Sequence, residues 1–133
     1  MDKVVTMSPI KFPPISQDQL VAYSKASGDP NLIHLDPEVA KSSGLPGVIA
    51  HGMLVAGMVS ERARKFMLES FSNASVRVEN MQIRFKAMTL LGDELTISGT
   101  ATQPDLKRVH LSLEAHSPRG EVVATAQMFY VTE

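Results

Sequence analysis

The hydrophobic and polar positions divide the chain into a helical first half and a strand-rich second half. A helix is predicted in "ISQDQLVAYSKASG", with Ser16 as its N-cap and Gly28 as its end. A shorter helix is predicted in "DPEVAKSSG", where Asp36 is the N-cap, Pro37 is the first helical residue and Gly44 ends the helix. Each of these two predicted helices therefore has both a start signal and a stop signal.

The segment "LPGVIAHGMLVAGMVSERARKFMLES" predicts a third helix, which begins at Gly52. It has almost no polar face before Glu61, and a helix that is apolar all round is buried on every side. The apolar part is about a dozen residues long, too short to span a bilayer, which takes roughly 20 residues. Residues 62–69 are more charged, so we expect the helix to emerge into solvent there.

From residue 75 onward apolar and polar residues alternate with period two, which predicts strands in "SVRVENMQIRFKAM", "DELTISGTATQ", "KRVHLSLEAHS" and "EVVATAQMFYVT". The short connections "TLLG", "PDL" and "PRG" favour hairpins and hence an antiparallel meander. The stretch "KVVTMSPIKF" is interpreted as an additional outer strand. We therefore predict an α+β architecture, with an antiparallel sheet around a central helix and a second subunit covering the helix flank that the sheet leaves open.

Composition narrows the possible classes of protein. The 133 residues contain no repeat or linker, so we expect one domain over residues 1–133. With 13 Lys and Arg against 14 Asp and Glu, the net charge of -1 favours neither nucleic acid nor an anionic membrane as a partner. No Cys is present, which excludes thiol chemistry and disulfides, and the opening "MDKVVTMSPIKFPPIS" does not resemble a signal peptide. These features predict a cytoplasmic protein.

Candidate chemistry lies in "ASGDPNLIHLDP", at residues 26–37. Its turn-forming residues can simply end a helix. In the same loop, however, Asp29 and His34 offer a carboxylate and an imidazole, two groups suited to proton transfer. His110 and His116 share one face of a predicted strand, and we interpret them as sheet surface. Four His with no Cys and no H-x-H or H-x-x-x-H spacing do not predict a metal site.

The stretch "SGDPNLIHLDPEVAKSSGLPGVIAHGMLVAG" resembles the hydratase 2 motif of the MaoC-like (R)-specific enoyl-thioester hydratases and dehydratases. The resemblance rests on an Asp, an Asn two residues later, a His five residues after the Asp, and a separate "AHGM" that opens an apolar helix. It is dense over residues 23–57, and the order of elements continues to fit beyond them. It implies the hot-dog fold, in which an antiparallel sheet wraps around one long helix.

By this resemblance Asp29 and His34 are the catalytic pair, and Asn31 holds the loop or the carboxylate in place. The reaction adds water to a trans-2-enoyl thioester, or removes it from a (3R)-3-hydroxyacyl thioester. Burial of Asp29 beside Leu32 and its apolar neighbours would favour the protonated acid, whereas a charged His34 would favour the carboxylate. Either residue can be the base, because both would share one water molecule.

The resemblance also places the substrate beside Ala50, His51 and Gly52, with Asn31 as a further binding residue. Backbone N–H groups at a helix N-terminus can stabilise the negative charge that develops on the thioester oxygen. Gly52 lets a substrate approach closely because it has no side chain. We expect the donors near His51 and Gly52, and the His51 side chain to hold the loop together.

The sequence thus predicts a hydratase or dehydratase of acyl thioesters that needs no metal and no redox cofactor. The substrate would be an acyl-CoA or acyl-carrier-protein thioester, with Arg84 or Lys86 as candidate contacts to its phosphates. A homodimer or larger assembly is expected, with a heterodimer as the alternative. Two other functions stay open: a hot-dog thioesterase, for which Glu61 is the candidate carboxylate, and a non-catalytic acyl-binding subunit, which would be expected to lack the Asp/His pair.

Overall fold

A computed structural model describes residues 4–71 and 75–132. A single turn of 3-10 helix, Leu32–His34, lies between the first two α-helices. In chain order, the other elements of these residues are β1 (Val4–Lys11), α1 (Gln17–Ser27), α2 (Pro37–Ser42), α3 (Gly52–Ser70), β2 (Val76–Phe85), β3 (Thr96–Asp105), β4 (Arg108–His116) and β5 (Val122–Thr132).

The predicted boundaries of the first two helices are confirmed. The Ser16 hydroxyl accepts a hydrogen bond from the Gln19 amide at 3.1 Å, where α1 begins. Gly28 follows α1 with a φ of 74°, a left-handed conformation that glycine adopts without steric cost. Asp36 caps α2 by accepting a hydrogen bond from the Glu38 amide at 2.9 Å. Both helices are therefore set by local capping chemistry.

The strands form one antiparallel sheet in the order β1-β3-β4-β5-β2. Strands β3, β4 and β5 pair consecutively, and β1 pairs with β3 as the predicted outer strand. The predicted meander is wrong at one step, because β2 pairs with β5 and not with β3. Strands β1 and β2 consequently form the two edges of the sheet.

The connection from β2 to β3 is occupied by other hydrogen bonds, which explains why no hairpin forms there. The Ala50 amide donates to the Thr89 carbonyl at 2.8 Å, and the Leu91 amide donates to the Val48 carbonyl at 3.1 Å. Residues 89–91 thus hold the chain just before α3. A period-two pattern shows which residues share a face of a sheet, but it does not show which strand lies alongside.

Helix α3 packs against the inner face of the sheet and forms the core with it. Burying one side chain of Val, Leu or Met size contributes about 1.5–3 kcal/mol. This arrangement confirms the predicted α+β class and the hot-dog fold. The buried apolar residues of the helix include Val55, Val59, Ala63 and Met67, and those of the sheet include Ile97, Leu111, Leu113, Ala126 and Met128.

Two expectations about α3 need correction. Met53 is 64% exposed, so the apolar part of α3 is not buried on every side within this chain. Arg64, Lys65 and Glu69 are exposed as expected, but Arg62 is buried, and its Nη2 donates to the Ser8 carbonyl at 2.8 Å. It lies on the same buried stripe as Ala63 and Met67, next to β1. Among the described residues no helix is long and apolar enough to cross a membrane.

Candidate active site

The loop after α1 is shaped by its own polar side chains. The Asp29 carboxylate accepts a hydrogen bond from the Asn31 amide at 3.2 Å. The Asn31 side-chain oxygen in turn accepts from the Ile33 amide at 3.1 Å and opens the 3-10 turn. After the end of α1, these short-range side-chain bonds take the place of helical backbone hydrogen bonds. They turn His34 inward, where it is 7% exposed, and leave Asp29 at the surface of a cleft.

The expected burial of Asp29 is wrong. Asp29 is exposed, Leu32 is 49% exposed, and Ile33 is only half-buried. The reason is the tightness of the 3-10 turn, which turns His34 to the interior and leaves Leu32 at the surface. No apolar shell of its own loop surrounds the carboxylate in this chain.

His34 is fixed by one backbone contact. Its Nδ1 lies 2.8 Å from the Ile49 carbonyl, and since a carbonyl can only accept, Nδ1 carries the proton. In the neutral imidazole Nε2 then carries no proton, and it has no hydrogen-bond partner among the described residues. His34 therefore offers a free proton acceptor beside Asp29.

His51 is almost completely buried, at 3% exposure, and touches several parts of the site. Its ring stacks on the His34 ring with centroids 3.8 Å apart and meets the Tyr23 ring edge-on at 4.7 Å. Its Nε2 lies 3.2 Å from the Ser24 hydroxyl and 3.3 Å from the Asp29 carbonyl. Its Nδ1 is buried without a partner among the described residues.

The N-terminus of α3 presents free amide groups. His51 is the N-cap residue, but its side chain makes no capping hydrogen bond. The amides of Leu54 and Val55 donate to the His51 carbonyl, at 3.1 and 3.3 Å. In the described structure this leaves the amides of Gly52 and Met53 without acceptors, at the positive end of a 19-residue helix.

Gly52 allows this helix end to face a narrow space. A Cβ placed on Gly52 would lie 3.4 Å from the Phe85 ring, so the ring already packs against the bare backbone. Gly52 and Phe85 line the same cleft, together with Met53. A larger side chain at position 52 would fill the space beside the free amides.

A cleft of about 380 Å³ brings most of the predicted site residues together. Asn31 and Ala50 do not line the cleft. The Ala50 amide donates a hydrogen bond to the Thr89 carbonyl, and a substrate contact from Ala50 stays a prediction. Sequence reasoning missed Ser24, although its position four residues after buried Leu20 could have placed it on the inner face of α1. The lining residues are Tyr23, Ser27, Asp29, His34, His51, Gly52, Met53 and Phe85.

Asp29, His34 and His51 also form a group that could approach a metal ion, since one ligand atom from each lies within 4.8 Å of the others. Tetrahedral ligation needs lone pairs that converge on one point at about 2.0–2.1 Å from each nitrogen. The two imidazole planes are inclined by only 21° and stacked 3.8 Å apart, so a single ion cannot lie close to both ring planes, in which the nitrogen lone pairs point. This geometry does not match a zinc centre.

Glu61 does not line this cleft. It is nine residues along α3 from Gly52, a distance of roughly 13 Å at the usual helical rise. Its carboxylate lies 2.7 Å from Arg64, and this hydrogen bond, with the charge of Arg64, lowers the pKa of Glu61. Glu61 lines an adjoining pocket that shares Tyr23 and Met53 with this cleft, but its carboxylate is exposed and paired with Arg64.

This chain is similar in sequence to several known proteins. The family model described as "MaoC like domain" matches residues 3–116. A probable enoyl-CoA hydratase 2 from Dictyostelium discoideum is 35% identical over 81 residues, which are 60% of this chain and 26% of that protein. A mitochondrial 3-hydroxyacyl-[acyl-carrier-protein] dehydratase from Arabidopsis thaliana is 30% identical over 80 residues, 60% of this chain and 45% of that protein. The matches thus span less than half of these relatives.

Solved structures share the fold. The ChsH1-ChsH2 complex from Mycobacterium tuberculosis contains a chain that matches 97% of this chain and 96% of its own length, with a TM-score of 0.80 at 16% identity. The (R)-hydratase from A. caviae involved in PHA biosynthesis matches 98% of this chain and 92% of its own, with a TM-score of 0.74 at 19% identity.

Proposed function

Because the chain belongs to the MaoC-like domain family, we propose that it hydrates trans-2-enoyl thioesters to (3R)-3-hydroxyacyl thioesters, or catalyses the reverse dehydration. Asp29 and His34 are the acid-base pair in this proposal. The observation that carries it is the meeting of these two side chains with the uncapped N-terminus of α3 in one cleft. Each of these three parts supplies a different requirement of the reaction.

Proton transfer falls to Asp29 and His34. In hydration the oxygen of water bonds to the β-carbon, one proton of that water passes to the pair, and the pair delivers that proton to the α-carbon, so that both side chains end in their starting protonation states. The free Nε2 of His34 and the exposed carboxylate of Asp29 both lie beside the space where a water molecule would sit. Positioned groups of this kind typically accelerate a reaction by about 10²–10⁴-fold.

Charge stabilisation falls to the start of α3. As oxygen bonds to the β-carbon, electrons move onto the thioester carbonyl oxygen, which becomes an enolate. The free amides of Gly52 and Met53 can donate to that oxygen, and the dipole of α3 adds to their effect. No metal and no redox cofactor is needed for any of these steps.

The alternatives fit the structure less well. A thioesterase would need a carboxylate on α3 aimed at the carbonyl carbon, and Glu61 lies outside the cleft in an ion pair with Arg64. A non-catalytic acyl-binding subunit has no use for Asp29 and His34, yet the fold holds them together in the cleft.

We propose acyl-CoA or acyl-carrier-protein thioesters as substrates. Relatives of both kinds exist, since one is named an enoyl-CoA hydratase and another an acyl-carrier-protein dehydratase. Arg84 and Lys86 flank Phe85 and are exposed, so they remain candidate contacts to the phosphates of either carrier. A cytoplasmic location also stays a prediction.

We further propose that the chain works as a homodimer or larger assembly. Strand β2 is an open sheet edge, which favours pairing with another strand, and Met53 is exposed at the start of α3. The ChsH1-ChsH2 complex, which contains a chain of this fold, makes a heterodimer the alternative. Light scattering on the purified protein should give twice the chain mass of 14.5 kDa or a larger multiple, and a monomer at all concentrations would contradict the proposal.

Product analysis tests the proposed reaction. Purified protein should convert crotonyl-CoA to (3R)-3-hydroxybutyryl-CoA, which chiral chromatography after hydrolysis distinguishes from the (3S) isomer. Release of free CoA without hydration would identify a thioesterase instead. Parallel reactions with longer enoyl-CoA substrates and with the matching acyl-carrier-protein thioesters would show which carrier and acyl length are preferred.

A further inference from the structure

Ser24 is a buried polar residue outside the predicted catalytic set. Helix α1 buries two side chains, Leu20 and Ser24, and Ser24 is 6% exposed. A buried hydroxyl normally has a hydrogen-bond partner. Here the partner is Nε2 of His51, at 3.2 Å, from a residue 27 positions later in the chain. The contact joins α1 to the residue that precedes α3.

The second contact of His51 determines which nitrogen carries the proton. Nε2 lies 3.3 Å from the Asp29 carbonyl, which can only accept a hydrogen bond. With the proton on Nε2, the ring donates toward both the carbonyl and the Ser24 hydroxyl, and the buried Nδ1 is left as a bare acceptor. The opposite tautomer would bury an unpaired N–H, and unpaired buried donors are rarer than unpaired acceptors.

One ring therefore touches both members of the acid-base pair. Nε2 of His51 contacts the backbone carbonyl of Asp29, and the face of the His51 ring stacks on the His34 ring at 3.8 Å. Ser24 fixes the rotation of the His51 ring from the other side, and Tyr23 closes its edge. Beyond His51, His34 has one hydrogen bond of its own, to the Ile49 carbonyl, so the stacked face limits its tilt.

We propose that Ser24 and His51 are positioning residues, which hold His51 as the Nε2–H tautomer and thereby set the distance between the Asp29 carboxylate and Nε2 of His34. This inference rests on the function proposed above. Small errors in the placement of reacting groups lower turnover strongly while substrate binding changes little. Replacing Ser24 or His51 should accordingly lower kcat and leave KM nearly unchanged.

Three variants separate the contributions of the Ser24 hydroxyl, the His51 ring face and the His51 N–H donor. Ser24→Ala removes the hydroxyl and keeps the ring. His51→Gln keeps an N–H donor near the position of Nε2 and loses the stacked face, whereas His51→Phe keeps a stacking face and loses the donor. Ser42→Ala is the matched control, because Ser42 bonds to the Glu38 carbonyl on the exposed side of α2 and does not line the cleft.

We expect Ser24→Ala to lower kcat by on the order of 10-fold and each His51 variant by on the order of 10²-fold, with KM nearly unchanged. Ser42→Ala should match the native protein. In native protein labelled with ¹⁵N, the His51 imidazole should give the shift pattern of an Nε2–H tautomer, and this pattern should change in Ser24→Ala.

The results that overturn the inference differ from those that overturn the function. If the native protein hydrates enoyl thioesters and Ser24→Ala has the same kcat, the positioning role is wrong, whatever happens to the melting temperature. A native Nδ1–H tautomer would also contradict it. If the native protein hydrates no enoyl thioester on either carrier, the proposed function fails first and the positioning role with it.

Discussion

The chain's four histidines form two pairs with opposite surroundings. His34 and His51 lie beneath the start of α3, 7% and 3% exposed, with stacked rings and contacts to backbone carbonyls. His110 and His116 lie half-buried on β4, where their neighbours are side chains on the outer face of the sheet.

The two pairs differ in what their partners leave free. His110 donates from Nε2 to the Gln127 side chain and stacks on Phe129, and His116 lies 3.4 Å from the carboxylate of Glu114. These contacts complete a sheet surface. At the cleft, by contrast, the backbone holds one nitrogen of His34 and leaves Nε2 available for chemistry. The irregular backbone around the candidate site thus leaves a nitrogen without a partner among the described residues, whereas the side chains around the regular strand β4 engage both of its histidines.

Replacing His34 should give the largest difference between the pairs. His34→Ala removes the free Nε2, so we expect kcat for enoyl-thioester hydration to fall by on the order of 10³-fold. Spectrophotometric rates and far-UV circular dichroism check this outcome. A His34→Ala variant that stays folded and keeps native turnover would contradict the claim that the cleft histidines differ in role from those on β4.

Filling the space beside the free amides should have the next largest effect. Gly52→Val introduces a branched side chain where a Cβ alone would lie 3.4 Å from the Phe85 ring, and it would keep a thioester oxygen away from the helix start. We expect kcat to fall by on the order of 10²-fold, the usual loss for one oxyanion donor. Gly47→Val is the control, since a Cβ on Gly47 meets nothing within 4 Å. Equal turnover in both variants would remove α3 from the mechanism.

Replacing the buried carboxylate of Asp93 should affect stability before catalysis. Asp93 accepts hydrogen bonds from Arg119 at 2.7 and 2.9 Å and from the Leu90 amide, next to the segment that pairs with residues 48–50. Because Arg119 is partly exposed, we expect Asp93→Asn to lower the free energy of unfolding by only about 1–2 kcal/mol. Glu121→Gln, which disturbs a 3.4 Å exposed pair, should change it by less than about 0.5 kcal/mol.

This stabilisation should depend on pH in one direction. Burial raises the pKa of Asp93, but the hydrogen bond and charge of Arg119, with the Leu90 amide, bring it below its usual value. Stability from the pair is therefore complete above the unfolded carboxyl pKa of about 3.9 and is lost as pH falls through the lower folded value. Urea unfolding should show the native and Asp93→Asn proteins converging in acid, and a constant difference would contradict this assignment.

The smallest effect should come from the outer pair. His110→Ala loses a ring stack 4.5 Å from Phe129 and a hydrogen bond to Gln127, which should cost about 0.5–1.5 kcal/mol of unfolding free energy. Turnover should remain native, because neither residue lines the cleft. A clear loss of kcat in this variant would give the sheet surface a role in the reaction.

Local signals in the sequence predicted much of this molecule. Ser16, Gly28 and Asp36 act within one turn of their own positions, so the helix ends followed from capping chemistry. The position of β2 beside β5 depends instead on hydrogen bonds between residues 89–91 and 48–50, which no local pattern encodes. That residues 1–133 form one domain stays a prediction.

The site was predictable in its members more than in its geometry. The motif indicated Asp29, His34 and Gly52, and the cleft brings them together. The exposure of Asp29 and the contact between Ser24 and His51 could not be predicted, because both depend on how the 3-10 turn and α1 pack against the start of α3.

The most direct test of the central claim is the rate at which the enoyl-thioester absorbance of crotonyl-CoA disappears with native protein and with Asp29→Asn. Asp29 is exposed, so the substitution should leave the fold intact while hydration falls by on the order of 10³-fold. Native-like hydration by a folded Asp29→Asn protein would contradict the claim that this cleft is the catalytic centre.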